Sequence, residues 1–218
     1  SRGGEGALLH YWPPGPQRDQ ERLAFTAQME DFFKQRLNSA PRQSDEQKFW
    51  YDKYVEVSRT PKALAQLSKW FTTEKVAPGL KLDLDRSWQL VRHLLRFEHP
   101  DAKRHLESLK QKDPSDRGKK HLLAAEAIQP RMEIKHKWVE ILRQPKPAIG
   151  FADARSVLGS LFPIEQRYLA QKFNNDFYAY LKTNGTSENE IFVAAVAGGL
   201  SPLNCNTEES AKLREFVY

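Results

Sequence analysis

The stretch Asp113–Leu142, DPSDRGKKHLLAAEAIQPRMEIKHKWVEIL, decides how this chain folds. It reads as two short helices joined by a bend. Asp113 suits an N-cap, and Pro114 suits a first helical position, where a missing N–H costs nothing. Asp116 places a carboxylate on the positive end of the helix. Leu122, Leu123, Ala125, Ala127 and Ile128 then supply an apolar helix. Pro130 cannot continue that helix and opens the next. In the second helix Ile134, Trp138, Ile141 and Leu142 recur at i, i+4, i+7 and i+8, one buried stripe. Neither helix buries its stripe alone, so the unit needs neighbours of its own kind, the logic of a helical-pair array.

The same grammar extends outward. Upstream, Gln17–Leu37 reads as a helix with Phe25, Met29, Phe32 and Phe33 on one face. Ser44 and Gln47 form a capping box ahead of Trp50, Tyr54 and Val57. Thr60-Pro61 opens a helix carrying Leu64, Leu67 and Phe71. Glu74–Lys81 (EKVAPGLK) reads as a loop. Asp83 caps a helix with Leu84, Trp88, Val91 and Leu95, and His99-Pro100 opens one buried through Ala102, Leu106 and Leu109.

Downstream, Gln144–Ile149 (QPKPAI) is a proline-spaced connection, and Phe151–Leu161 is a helix. Pro163 opens a longer helix through Phe173, Phe177, Tyr180 and Leu181, stopped at Asn184-Gly185. Ser187 and Glu190 cap Ile191–Ala197. Gly198–Asn206 reads as a loop, and Thr207 caps a final helix. No strand alternation or hairpin turn stands out. The expected fold is therefore all-α, a HEAT-like array of antiparallel helix pairs in a curved stack. Residues 1–16 are expected to be a flexible start and loop, and 17–218 one helical-repeat domain.

Composition bounds the function. The 218 residues carry a formal charge of +6. Much of the basic excess lies in Lys103, Arg104, Lys110, Lys112, Arg117, Lys119, Lys120, Lys135 and Lys137, which read as a solvated helix face. The aromatics fall on helical stripes rather than between basic residues, so no nucleic-acid partner is expected. No apolar run approaches the roughly 20 residues of a membrane span, and no signal-peptide pattern opens the chain. The single cysteine, Cys205, allows no internal disulfide and reads as structural, and the expected compartment is cytoplasmic. Since the first residue is not Met, the chain reads as a piece of a longer protein.

The search for chemistry is negative. There is no H-E-x-x-H, no P-loop, no G-x-G-x-x-G and no G-x-S-x-G. His93, His99 and His105 are spaced by six, off any common helix face, and read as surface residues. His136 likewise reads as a helix-surface histidine. Asp83 and Asp85 fit a helix N-terminus better than an acid pair. The expectation is no catalytic, metal or cofactor-binding residue in this chain.

A series of short segments in one order resembles a known family. It runs Thr60-Pro61-Lys62-Ala63-Leu64, Val76-Ala77-Pro78-Gly79-Leu80 and Asp83-Leu84-Asp85-Arg86-Ser87-Trp88. Asp113-Pro114-Ser115-Asp116-Arg117-Gly118, Ala124-Ala125-Glu126-Ala127 and Lys135-His136-Lys137-Trp138 follow, then Leu161-Phe162-Pro163-Ile164-Glu165-Gln166 with Leu169. The series, covering Thr60–Tyr218, resembles the C-terminal helical domain of zinc aminopeptidases of the aminopeptidase N family, above all its bacterial branch. QPKPAI and the end at Tyr218 depart from that pattern.

The resemblance implies a domain that packs over the catalytic domain of the same polypeptide and closes its peptide-binding cavity. It places the zinc, its H-E-x-x-H and the G-A-M-E-N stretch in the parent enzyme rather than in this chain. Two other readings stand beside it: a free-standing helical-repeat scaffold for another protein, and a nucleic-acid-binding helical array.

Overall fold

The computed structural model describes residues 16–144, 146–185, 189–202 and 207–217. Their architecture is all-α, with one minor hairpin. The chain divides into two compact units, Ser1–Pro114 and Ser115–Tyr218.

The first unit contains α1 (Pro16–Ser39), α2 (Asp45–Val57), α3 (Pro61–Thr73), α4 (Leu84–Arg96) and α5 (Ala102–Lys112). Helix α1 packs on α2, and α4 packs on α2, α3 and α5. The starts follow the sequence signals. Ser44 Oγ accepts from the Gln47 N–H at 3.0 Å, Thr60 Oγ1 from Ala63 N–H and Asp83 from Arg86 N–H. The capping box closes one residue early, because Gln47 Oε1 accepts from Gln43 N–H rather than from the cap itself. Tyr51, Tyr54, Leu67, Trp70, Trp88, Leu90, Val91, Leu94 and Leu109 fill the core.

Several local readings are corrected. EKVAPGLK is not a plain loop. Lys75–Ala77 (β1) pairs antiparallel with Leu80–Lys81 (β2) around a Pro78-Gly79 turn. Gly79 has a φ of +89°, which glycine adopts without strain, and Gln47 Nε2 donates to the Pro78 carbonyl at 3.0 Å. The hairpin is too short to show alternation, and its tip is held by a side chain about thirty positions away. Leu84 is exposed because it opens α4 beyond the packed stripe.

In α1, Phe25 and Phe32 are exposed, while Thr26, Glu30 and Leu37 face inward. The aromatics gather outside, with Phe32 and Phe33 against Trp50 at 6.1 and 5.9 Å. Helix α5 begins at Ala102 rather than at His99-Pro100, and His105 takes the buried place expected for Leu106.

The second unit contains α6 (Asp116–Ala127), α7 (Met132–Leu142), α8 (Phe151–Leu161), a short α9 (Arg167–Ala170) between two 3-10 turns, α10 (Asn174–Asn184), α11 (Glu190–Leu200) and α12 (Thr207–Val217). Ser115, not Asp113, caps α6, accepting from Gly118 N–H at 3.1 Å. Asp113 is spent elsewhere: its buried carboxylate accepts from Trp88 Nε1–H at 2.8 Å.

The segment after Pro163 is broken by 3-10 turns at Ile164–Gln166 and Gln171–Phe173 before α10 begins. Helix α11 runs on through Gly198 and Gly199 to Leu200. A Cβ at Gly199 would sit 2.5 Å from Leu158 Cδ2, so glycine permits the close approach of α8 and α11. Asn189, not Ser187, caps α11, and Ser187 lies outside the described residues, as does Cys205. Trp138, Val139, Leu142, Val157, Leu161, Phe173, Tyr180, Phe192, Val196 and Leu200 form this unit's core.

Candidate functional site

The polar chemistry of this chain is concentrated where helices end. The clearest case begins in the opening stretch. Two carbonyls, those of Ala127 in α6 and Leu161 in α8, lie in the last turn of their helices, where no continuing helix supplies donors. Pro130 and Pro163 follow and contribute no donor. Lys135 of α7 fills both places. Its Nζ donates to the Ala127 carbonyl at 2.7 Å and to the Leu161 carbonyl at 2.5 Å, and the side chain is wholly buried.

Phe162 covers the ammonium at 5.6 Å. Gln166 completes the cap, donating from Nε2 to the Ile128 carbonyl at 2.9 Å. Burial pulls the Lys135 ammonium down to a pKa of about 7, with Glu165 opposing the shift. Lys135 is therefore a tie between helix ends, not part of a solvated basic face.

The rest of the basic centre is mostly paired at the surface. Arg104 pairs with Asp101, Lys112 with Glu74, Lys119 with Asp116, and Lys137 with Glu126. Such exposed pairs contribute about 0–1 kcal/mol each and leave the positive charge accessible. Lys103, Lys110 and Lys120 are exposed.

Two histidines read as surface residues are buried. His93 Nε2 lies 2.5 Å from the Ser58 carbonyl, between α2 and α4. His105 Nε2 lies 2.8 Å from Ser68 Oγ, and Ser68 Oγ lies 3.2 Å from Asp101 Oδ2. Serine, histidine and aspartate thus meet, but in the wrong order for catalysis. Both the imidazole and the carboxylate face the serine, whose single hydroxyl proton can serve only one of them, and which one depends on the His105 tautomer. A general base needs a lone pair facing the hydroxyl and a carboxylate behind the ring. Phe71 stacks against the imidazole at 4.4 Å and closes the cluster, which acts as a polar clamp between α3 and α5. Burial holds the His105 pKa below its ordinary value, with Asp101 opposing.

Glu30 plays the same structural part for α3. The buried carboxylate accepts from Arg59 N–H at 2.7 Å, Thr60 N–H at 2.9 Å and Thr60 Oγ1–H at 2.5 Å. It satisfies donors beside a helix N-terminus, where negative charge is favoured. His136 is exposed, edge-on to Phe173 at 4.8 Å. Asp83 caps α4 and pairs with Arg86, the role its position in the sequence suggests.

Among the described residues, no group of three or more His, Cys, Asp or Glu side chains is placed to hold a metal ion. No described helix is long and apolar enough to cross a membrane. Glu30, Lys135 and the Ser68–His105 pair left no signal in the sequence beyond a polar residue on an otherwise apolar helix face. In comparisons with known proteins, no family model matches the chain, and no curated protein matches it.

Proposed function

We propose that this chain is the non-catalytic C-terminal helical domain of a zinc-dependent aminopeptidase that removes N-terminal residues from peptides. In this reading it is a HEAT-like array of helix pairs that packs on the catalytic domain of the same polypeptide and encloses the peptide-binding cavity. The supporting observation is where the segments behind the resemblance fall. Thr60, Asp83 and Ser115 cap α3, α4 and α6. Val76–Leu80 is the hairpin, and Lys135, Leu161 and Gln166 form the tie between helix ends.

In the parent enzyme the zinc would polarise the peptide carbonyl and activate water; no residue of this chain is assigned to hold it. The exposed lysines Lys103, Lys110 and Lys120 would draw the peptide's carboxylate by long-range attraction. Enclosure would restrict substrates to peptides.

The decisive experiment is to sequence the reading frame upstream of Ser1. An H-E-x-x-H with a downstream glutamate supports the reading, and a start codon immediately before Ser1 removes it. The second outcome would favour a free-standing scaffold for another protein, for which the exposed Phe25, Phe32 and Phe49 on α1 and α2 offer an apolar surface.

A further inference from the structure

The hairpin formed by β1 and β2 borders a cavity of about 590 Å³, a size within the range of small-molecule sites. Its lining runs from Gln43, ahead of α2, to Glu74 and along both strands. One buried side chain ties these walls together. Gln47 is wholly enclosed; its Oε1 accepts from Gln43 N–H at 2.9 Å, and its Nε2 donates to the Pro78 carbonyl at 3.0 Å. Gln43 and Glu74 both hold left-handed backbone, at φ of 61° and 54°. In residues with side chains that conformation persists only where the surroundings fix it.

The charge around this cavity is unbalanced. Lys75 and Lys81 are register partners across the two strands. Both are exposed, whereas Val76 and Leu80 beside them turn inward. Side chains directly opposite on an antiparallel pair start from Cβ atoms about 4.5–5.5 Å apart, so the two ammoniums leave one face side by side and repel. Neither lysine has a carboxylate in ion-pair reach among the described residues. Glu74, which also lines the cavity, is engaged by Lys112 at 3.2 Å. Arg42 adds a third exposed cation at the turn, where its Cβ packs on Gly79, and it too lacks an ion pair among the described residues.

We propose that this cavity binds a phosphate group between Lys75 and Lys81, as the free ion or carried by a small organic ester. A phosphate monoester bears a charge of roughly −1.5 to −2 at pH 7, which two unpaired ammoniums match and which removes their repulsion. Lysine suits it as a compact charge with three rotatable donors, whereas a carboxylate is better met by the planar fork of an arginine. Ala77 and Pro78 offer the body of an ester a carbon surface beside the lysines. The site stands whether or not the parent is an aminopeptidase.

The test titrates the 15N-labelled chain, at constant ionic strength, with phenyl phosphate, inorganic phosphate, benzoate and chloride. The backbone amides of Lys75, Ala77, Gly79 and Lys81 are expected to shift saturably with phosphate, with a Kd on the order of 1 mM. Tighter binding of phenyl phosphate names an ester as the source, and equal binding names the free ion. Lys75→Gln and Lys81→Gln, each replacing an exposed side chain, should weaken binding on the order of tenfold, and Lys182→Gln in the second unit should leave it unchanged. Without ligand, neither hairpin variant should melt below the parent chain, because each removes a like-charge contact. No saturable shift at about 0.1 M phosphate overturns the proposal. An equal response to benzoate or chloride also overturns it, as does undiminished binding in both hairpin variants.

Discussion

Lys135 offers the sharpest test of the fold, because its burial makes stability depend on pH in an unusual direction. In the unfolded chain its ammonium titrates near 10.5, and in the folded chain near 7. A base whose folded pKa is depressed binds its proton more tightly when unfolded. Folding must therefore expel the proton or bury the charge, and this cost is greatest below pH 7. As pH rises from 7 toward 10.5 the cost disappears and stability climbs by up to 1.36 kcal/mol per unit.

Integrated from pH 7 to 9, the gain is about 2 kcal/mol. Lys135→Met keeps the stem length, strips both carbonyls of their donor and removes the titration. The measurement is urea unfolding of both proteins at pH 7, 8 and 9. The variant should be the less stable at pH 9, since two buried carbonyls lose partners at about 1–3 kcal/mol each. Its deficit should widen by about 2 kcal/mol between pH 7 and 9. A competing effect acts on the same atom: the C-termini of α6 and α8 both favour the ammonium, by about 0.3–1 kcal/mol each and up to about 2 when partly buried. A deficit that stays flat across this range would refute the reasoning, since the helix ends would then fully offset burial.

Four further outcomes are expected. Glu30→Gln turns an acceptor of three hydrogen bonds into a group that also points an N–H at donors, and should cost about 2–4 kcal/mol in urea unfolding. Gly79→Ala meets a positive φ and a Cβ position 2.9 Å from Arg42 Cβ, and should lower stability by more than about 1 kcal/mol in thermal melts. Because burial depresses the folded pKa of His105, its stabilising contribution is present above pH 6.5 and is lost as pH falls through the folded value. Its imidazole NMR titration should show a midpoint below 6.5. Leu142→Ala empties a fully buried site in the second unit's core and should cost about 2–5 kcal/mol by urea unfolding.

The proposed role makes a separate prediction. Replacing Lys103, Lys110 and Lys120 by glutamine in the parent enzyme should weaken affinity for peptides with a free C-terminus, more at low salt than at high salt. Unchanged affinity and length preference would remove the steering argument.

What the sequence by itself determined is local. A period of 3.6 in apolar residues, together with Ser, Thr and Asp caps and prolines at helix starts, states where helices lie. Those signals act within about four residues, so α3 at Thr60-Pro61 and α8 at Phe151–Leu161 could be placed directly. The same rule misjudged which face of α1 turns inward, because Phe25 and Phe32 offered the stronger stripe while Glu30 had the better partner.

Only the tertiary structure decided the buried polar contacts. Glu30 meets Thr60 from 30 positions away, Lys135 meets Leu161 from 26, and Ser68 meets His105 from 37. Burying such a group is favourable only where a partner waits, and the partner is set by packing between helices, which no local period records. The Pro78-Gly79 hairpin followed the same rule, since Gln47 of α2 holds its turn in addition to the pairing of its own short strands.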